Sequence, residues 1–120
     1  MQLINHQYPN GSIVEFVSDE IEIKNEEDAN RVVEELFSSG SNKVILHKKN
    51  LSENFFELKT GLAGAILQKF VNYQIRAAIV GDFKNITSKS LNAFIFESNR
   101  GDQINFLKDV ETAIQKLRDE

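Results

Sequence analysis

Apolar residues recur along the chain at two spacings, and the points where one gives way to the other mark its elements. "LIN" (residues 3–5) and "SIVEFV" (12–17) are short extended runs. Between them "YPNG" holds Pro9, then Asn10 and Gly11, residue types that accept positive φ, which predicts a hairpin. "EIEIK" (20–24) alternates polar and apolar with period two and predicts a third strand. The period then changes. In "NEEDANRVVEELFSSG" the residues Ala29, Val32, Val33, Leu36 and Phe37 stand at i, i+3, i+4, i+7 and i+8, an apolar stripe along one helical face. Asn25 is positioned to cap that helix, three acids follow it beside the positive end of the dipole, and Gly40 can stop it in a left-handed conformation.

"KVILH" (43–47) is short, β-branched and apolar on both faces, which predicts a buried parallel strand. A helical segment follows over about 52–73, and "IRAAIVGD" (75–82) predicts a second buried strand ended by Gly81. "TSKSLNAFIFESNRG" offers Thr87 or Ser88 as a cap, a stripe of Leu91, Phe94, Ile95 and Ser98, and a stop at Gly101. "QINFL" (103–107) is the last strand. "DVETAIQKLRDE" closes the chain as a helix capped by Asp109, with Val110, Ala113, Ile114 and Leu117 inward. The order is therefore β-β-β-α-β-α-β-α-β-α. Right-handed crossovers between such strands imply an α/β fold, a mixed sheet with a parallel centre and about four helices. Residues 21–24, 43–47, 75–81 and 103–107 are expected in one sheet, the last three mutually parallel. One domain over residues 1–120 is expected.

"FFELKTGLAGAILQKF" (55–70) interrupts this pattern, because Gly61 and Gly64 sit within helical apolar spacing. Each should cost about 1 kcal/mol relative to Ala in a helix interior. Two explanations are open. "SENFFEL" can form its own short helix capped by Ser52, with a kink that leaves Gly61 at a cap, while Gly64 lets the next helix lie close on the sheet. Alternatively, the turn exposes backbone N–H groups that attract a phosphate or carboxylate, assisted by Lys59 and Thr60. No phosphate-loop Gly-Lys-Ser/Thr sequence accompanies it.

"NLSENFFELKTGLAGAILQKFVNYQIRAAIVGDF" and "SKSLNAFIFESNRG" resemble the signature stretches of an uncharacterised bacterial family, domain of unknown function family 4180. That resemblance runs over nearly the whole chain from Ile21 onward and implies no established activity. More distantly, "KTGLAGAILQKF" followed by "RAAIVGD" is similar to the STAS-like domains of anti-sigma-factor antagonists, where a Ser-Gly-Leu-Gly-type turn opens the helix after a buried strand. Those domains carry a phosphorylatable serine two residues before the first glycine, preceded by an acid. Here the positions hold Lys59 and Leu58, with Thr60 next to Gly61. The resemblance thus implies the STAS-like fold and not the phosphorylation switch.

Composition narrows the chemistry. A net charge of −4, from 14 basic and 18 acidic residues, argues against nucleic-acid binding. No apolar run approaches the roughly 18 residues of a membrane span, and the first residues show neither a basic segment nor an apolar core for export, so a cytoplasmic protein is expected. The absence of cysteine excludes disulfides, thiolate catalysis and Cys-ligated metals. The two histidines, His6 and His47, have no partner at metal-ligand spacing, so no metal or cofactor is expected. His47 ends a buried strand and is expected to be a hydrogen-bonded structural histidine. Asp82 in "VGDF" follows a buried strand at the carboxyl end, where open α/β sheets bind ligands; it either caps a turn or joins Asn50, Ser52, Ser88 and Lys89 in a site. No catalytic elbow or dinucleotide fingerprint is present. In "FIF" (94–96) a helix cannot point all three side chains inward, which leaves Phe96 to cover a loop or meet another chain, a possible homodimer contact.

Two function classes follow. The first is a non-enzymatic regulatory or protein-interaction module with an unknown protein partner, its surface including the turn around Lys59, Thr60 and Gly61. The second is a small-molecule binder or enzyme with a site at the strand ends around Asp82, Asn50, Ser88 and Lys89. The absence of any recognised catalytic arrangement favours the first, with no catalytic residue assigned.

Overall fold

The computed structural model describes residues 1–118; the last two residues of the C-terminal segment, Asp119 and Glu120, lie outside the described residues. The chain folds as α/β. Strands β1 (Gln2–Tyr8) and β2 (Gly11–Val17) form the hairpin, followed by α1 (Glu26–Ser39), β3 (Lys43–His47), α2 (Glu53–Phe56), α3 (Leu62–Asn72), β4 (Arg76–Val80), α4 (Lys89–Arg100), β5 (Ile104–Leu107) and α5 (Val110–Arg118). The five strands make one sheet in the order β1-β2-β3-β4-β5. Only the β1–β2 pair is antiparallel; β2 to β5 run parallel. No helix among the described residues is long and apolar enough to cross a membrane.

Period-two alternation divides the strands between two unequal cores. Val14 and Phe16 of β2, Val44 and Leu46 of β3, Ala77 and Ile79 of β4, and Ile104 and Phe106 of β5 face a large core. It is closed by Val32 and Leu36 of α1, Phe55 of α2, and Ile66 and Phe70 of α3, with Phe94 and Ile95 of α4 packed against it. The opposite face carries Ile13, Ile45, Ala78 and Val80, and among the described residues α5 is the helix that buries them, through Ala113 and Leu117, with Tyr8 and Leu107 packed alongside. One short helix cannot cover five strands. The part of this face toward β1 holds the polar side chains of His6, Glu15 and His47 beside the exposed Ile4.

The helix signals operate largely as the sequence predicts. Asn25 caps α1 by accepting from Asp28 N–H at 3.0 Å, and Asp28 reaches back to Lys24 N–H at 2.8 Å, a reciprocal cap. The bond from Lys24 N–H and the neighbouring Arg31 hold the Asp28 carboxyl below its ordinary range. Gly40 ends the helix at φ 77°. Ser88, rather than Thr87, caps α4, and Asp109 caps α5 through Thr112 N–H.

Several expectations change. Residues 20–24 do not join the sheet: only Ile23 makes an isolated bridge, to Leu51. Alternation promised a strand, but Asn50 bonds the segment across the strand ends, away from any open sheet edge, and Ile21 is left exposed. Phe37 stands 59% exposed, one helical step off the stripe, edge-on to Tyr73 at 5.6 Å. The hairpin forms, yet neither Asn10 nor Gly11 takes positive φ. Gly11 instead leaves room for Tyr8, whose hydroxyl a Cβ there would approach to 2.9 Å. Gly101 does stop α4, as expected, in an extended conformation. The segment 52–73 breaks into α2, a 3-10 turn (Leu58–Thr60) and α3, with Gly61 at the junction at φ 78°. Ser52 precedes α2 but its hydroxyl makes no capping bond. Gly64 is not at a tight contact: a Cβ there would meet nothing within 4 Å.

Candidate functional site at the carboxyl ends of the central strands

Parallel strands end their carbonyl-bearing tips on one side of the sheet, and the loops that follow β3 and β4 border an open cavity there of about 600 Å³. Ile21, Leu51, Phe56 and Val80 supply most of its wall, with His47, Lys48, Lys49, Glu53, Gly81 and Asp82 around the rim. Ile21 is present because residues 18–23 are strapped over the strand ends by Asn50. Its side-chain amide donates to the carbonyls of Ser18 and Glu20 at 2.8 and 2.7 Å, and its own carbonyl accepts from Glu22 and Ile23 N–H. A second hollow of about 390 Å³ lies across Gly81 and Asp82, lined by Phe83, Lys84, Phe106, Leu107 and Lys108.

Three of the polar residues of the rim, Asp82, Lys48 and His47, are already engaged. Asp82 Oδ1 accepts from Lys84 N–H at 2.9 Å, the turn-capping role. Lys48 Nζ donates to the Asp82 carbonyl at 2.6 Å and stands 5.2 Å from the centre of the Phe83 ring. Glu15 is the group that sequence reading missed. Its carboxylate is buried on the less covered sheet face, 6% exposed, and lies between His6 Nε2 at 2.8 Å and His47 Nε2 at 2.7 Å. Burial pushes the Glu15 carboxyl up, but the hydrogen bonds and charges of His47 and His6 outweigh this and hold it below its ordinary value. An ionised carboxylate only accepts, so both imidazoles present Nε2–H to it. His47 therefore is a hydrogen-bonded histidine that also lines the cavity. Among the described residues no group of three or more His, Cys, Asp or Glu side chains is disposed to hold a metal ion.

The residues singled out from sequence do not converge. Asn50 is buried and serves the strap. Thr60 donates to the carbonyls of Asn54 and Glu57, tying off the 3-10 turn, and Gly61 provides its left-handed end. Thr60 and Gly61 line a small separate hollow with Lys24 and Asn25. Lys59 is exposed beside Glu57. Ser88 caps α4 and borders a hollow that shares Lys48, Glu53 and Phe56 with the main cavity, whereas Lys89 points to solvent at the helix start. Only Asp82 lies on the principal cavity itself.

Residues 9–117 match the family model described as Domain of unknown function (DUF4180), and the chain belongs to that family. No curated protein and no solved structure matches the chain.

Proposed function

We propose that this protein is a non-enzymatic regulatory or protein-interaction module whose recognition site is the cavity at the carboxyl ends of β3 and β4. The observation that carries this reading is the contrast between wall and rim. The wall is apolar, through Ile21, Leu51, Phe56 and Val80, while Asp82, Lys48 and His47 around it already have partners. Such a site can hold an apolar group and has few free polar groups with which to transform it. The strand order supports the same reading: it follows chain order without a reversal, so the sheet lacks the switch-point crevice in which open α/β enzymes bind substrates. Parallel pairing of β3 with β4 is also what a STAS-like reading requires.

A small-molecule ligand is the second reading, favoured by a volume within the roughly 300–1,000 Å³ of ligand pockets. One experiment addresses both. Ile21 is exposed and outside regular structure, so Ile21→Glu should alter the wall without unfolding the chain. Tagged wild type and Ile21→Glu are used for capture from the native cell, with mass spectrometry of proteins and metabolites. A component retained by wild type and lost by a variant of equal melting temperature supports the site, and its class decides between the readings. Identical capture by both proteins would remove the cavity from consideration.

A further inference from the structure

Strand β1 is an open edge with none of the usual protection. Among the described residues its backbone pairs only with β2, in an unbroken register from Gln2↔Val17 to Tyr8↔Gly11. Edge strands in soluble proteins are ordinarily blunted by charge, proline, a bulge or a covering element. The seven residues "QLINHQY" include no Asp, Glu, Lys, Arg or Pro, and the continuous register leaves no bulge. Leu3 and Ile4, on opposite faces of the strand, are 38% and 37% exposed. The strand is nonetheless held firmly: His6 is bonded to Glu15, and the Tyr8 hydroxyl accepts from Lys43 Nζ at 2.8 Å. A continuous row of N–H and C=O groups along an open edge is a template for another strand.

We propose that the occupant is a second copy of this chain, whose own β1 pairs antiparallel to the first about a twofold axis and joins the two sheets into one. Charge selects this partner. The chain carries −4 overall, so two copies repel on balance, and contact between them is least opposed where the surface carries no charge. Residues 2–10 carry no charged side chain other than what His6 can gain, so the edge meets its symmetry mate without repulsion. An isologous contact uses one patch twice, and a neutral strand running antiparallel to itself satisfies that requirement. Asn5, exposed at the middle of the strand, would lie near the axis. This contact is independent of the cavity at the strand ends.

Sedimentation velocity over a concentration series, with circular dichroism to verify folding, tests the proposal. The wild type is expected to dimerise with concentration, Asn5→Lys and Asn5→Glu each to sediment as monomers, and their equimolar mixture to recover the dimer. Phe96→Lys, on the outer side of α4, should leave the dimer intact. Amide exchange of the unmodified protein gives a reading free of mutation: protection of β1 should rise with protein concentration. A wild type that is monomeric throughout, a dimer indifferent to Asn5→Lys, two charge variants that do not rescue each other, or a dimer abolished by Phe96→Lys would each overturn the assignment.

Discussion

Gly81 and Lys48 meet back to back where β4 leaves the sheet: a Cβ on Gly81 would stand 2.5 Å from the Cβ of Lys48. The contact is with the root of the lysine, which cannot swing aside as its tip could. It also brings together the two loops whose residues line the 600 Å³ cavity. Gly81→Ala should therefore destabilise the fold by roughly 1–3 kcal/mol, the usual cost of an added methyl in a filled space. Urea unfolding should give a lower midpoint with an unchanged slope. An unchanged midpoint would mean that the loops separate freely.

Glu15 sets a pH dependence whose sign follows from its environment. Its carboxyl is below its ordinary value in the folded chain, so it binds protons less readily there than when unfolded. The stability it contributes is present above the unfolded pKa of about 4.5 and is lost as the pH falls through the lower folded value. His6 and His47 are the groups that face it. The stability difference between wild type and Glu15→Gln should shrink steadily on acidification below about pH 4.5. A difference that stays constant from pH 6 to pH 3 would show that the carboxylate is not held as described.

Gly64 gives a case in which the structure reverses the sequence argument. Tight packing on the sheet predicts that Gly64→Ala destabilises, but open space surrounds the missing Cβ and the position is exposed. Helix propensity then decides, and the substitution should raise stability by up to about 1 kcal/mol. Thermal melting of the two proteins would settle the sign. Gly61→Ala should behave oppositely, since φ 78° disfavours any residue with a Cβ.

These contrasts show which features a single sequence carries. α1 was legible because its stripe, its Asn25 cap and its Gly40 stop are local and agree with one another. The parallel strands β3 and β4 were legible because a short run apolar on both faces must be covered on both. Residues 20–24 failed because alternation describes a strand's own faces and not where the chain is tied, here by Asn50 across the strand ends. The polar cluster beside the cavity, which meets it only at His47, was the least legible part. His6, Glu15 and His47 come from three strands, and the sheet register alone brings them together. One signal was available: in "SIVEFV", Glu15 shares a face with Ile13, so a charge lies in an otherwise inward register. It called for a buried partner without saying which.

Asn50 is the residue for which the binding and structural readings give opposite results. Sequence position alone made it a candidate ligand group. In the structure its amide is consumed by the carbonyls of Ser18 and Glu20, which hold the strap that carries Ile21 into the cavity wall. Asn50→Ala leaves those carbonyls without a donor and should cost roughly 1–3 kcal/mol. Asn50→Asp is the sharper test. It preserves shape but exchanges the donor for an acceptor facing two acceptors, so it should be at least as destabilising as alanine at neutral pH. A direct ligand contact would instead leave the stability of the unliganded protein nearly unchanged in both variants. Urea midpoints measured without ligand separate the two cases, and an Asn50→Asp protein as stable as wild type would remove Asn50 from the strap.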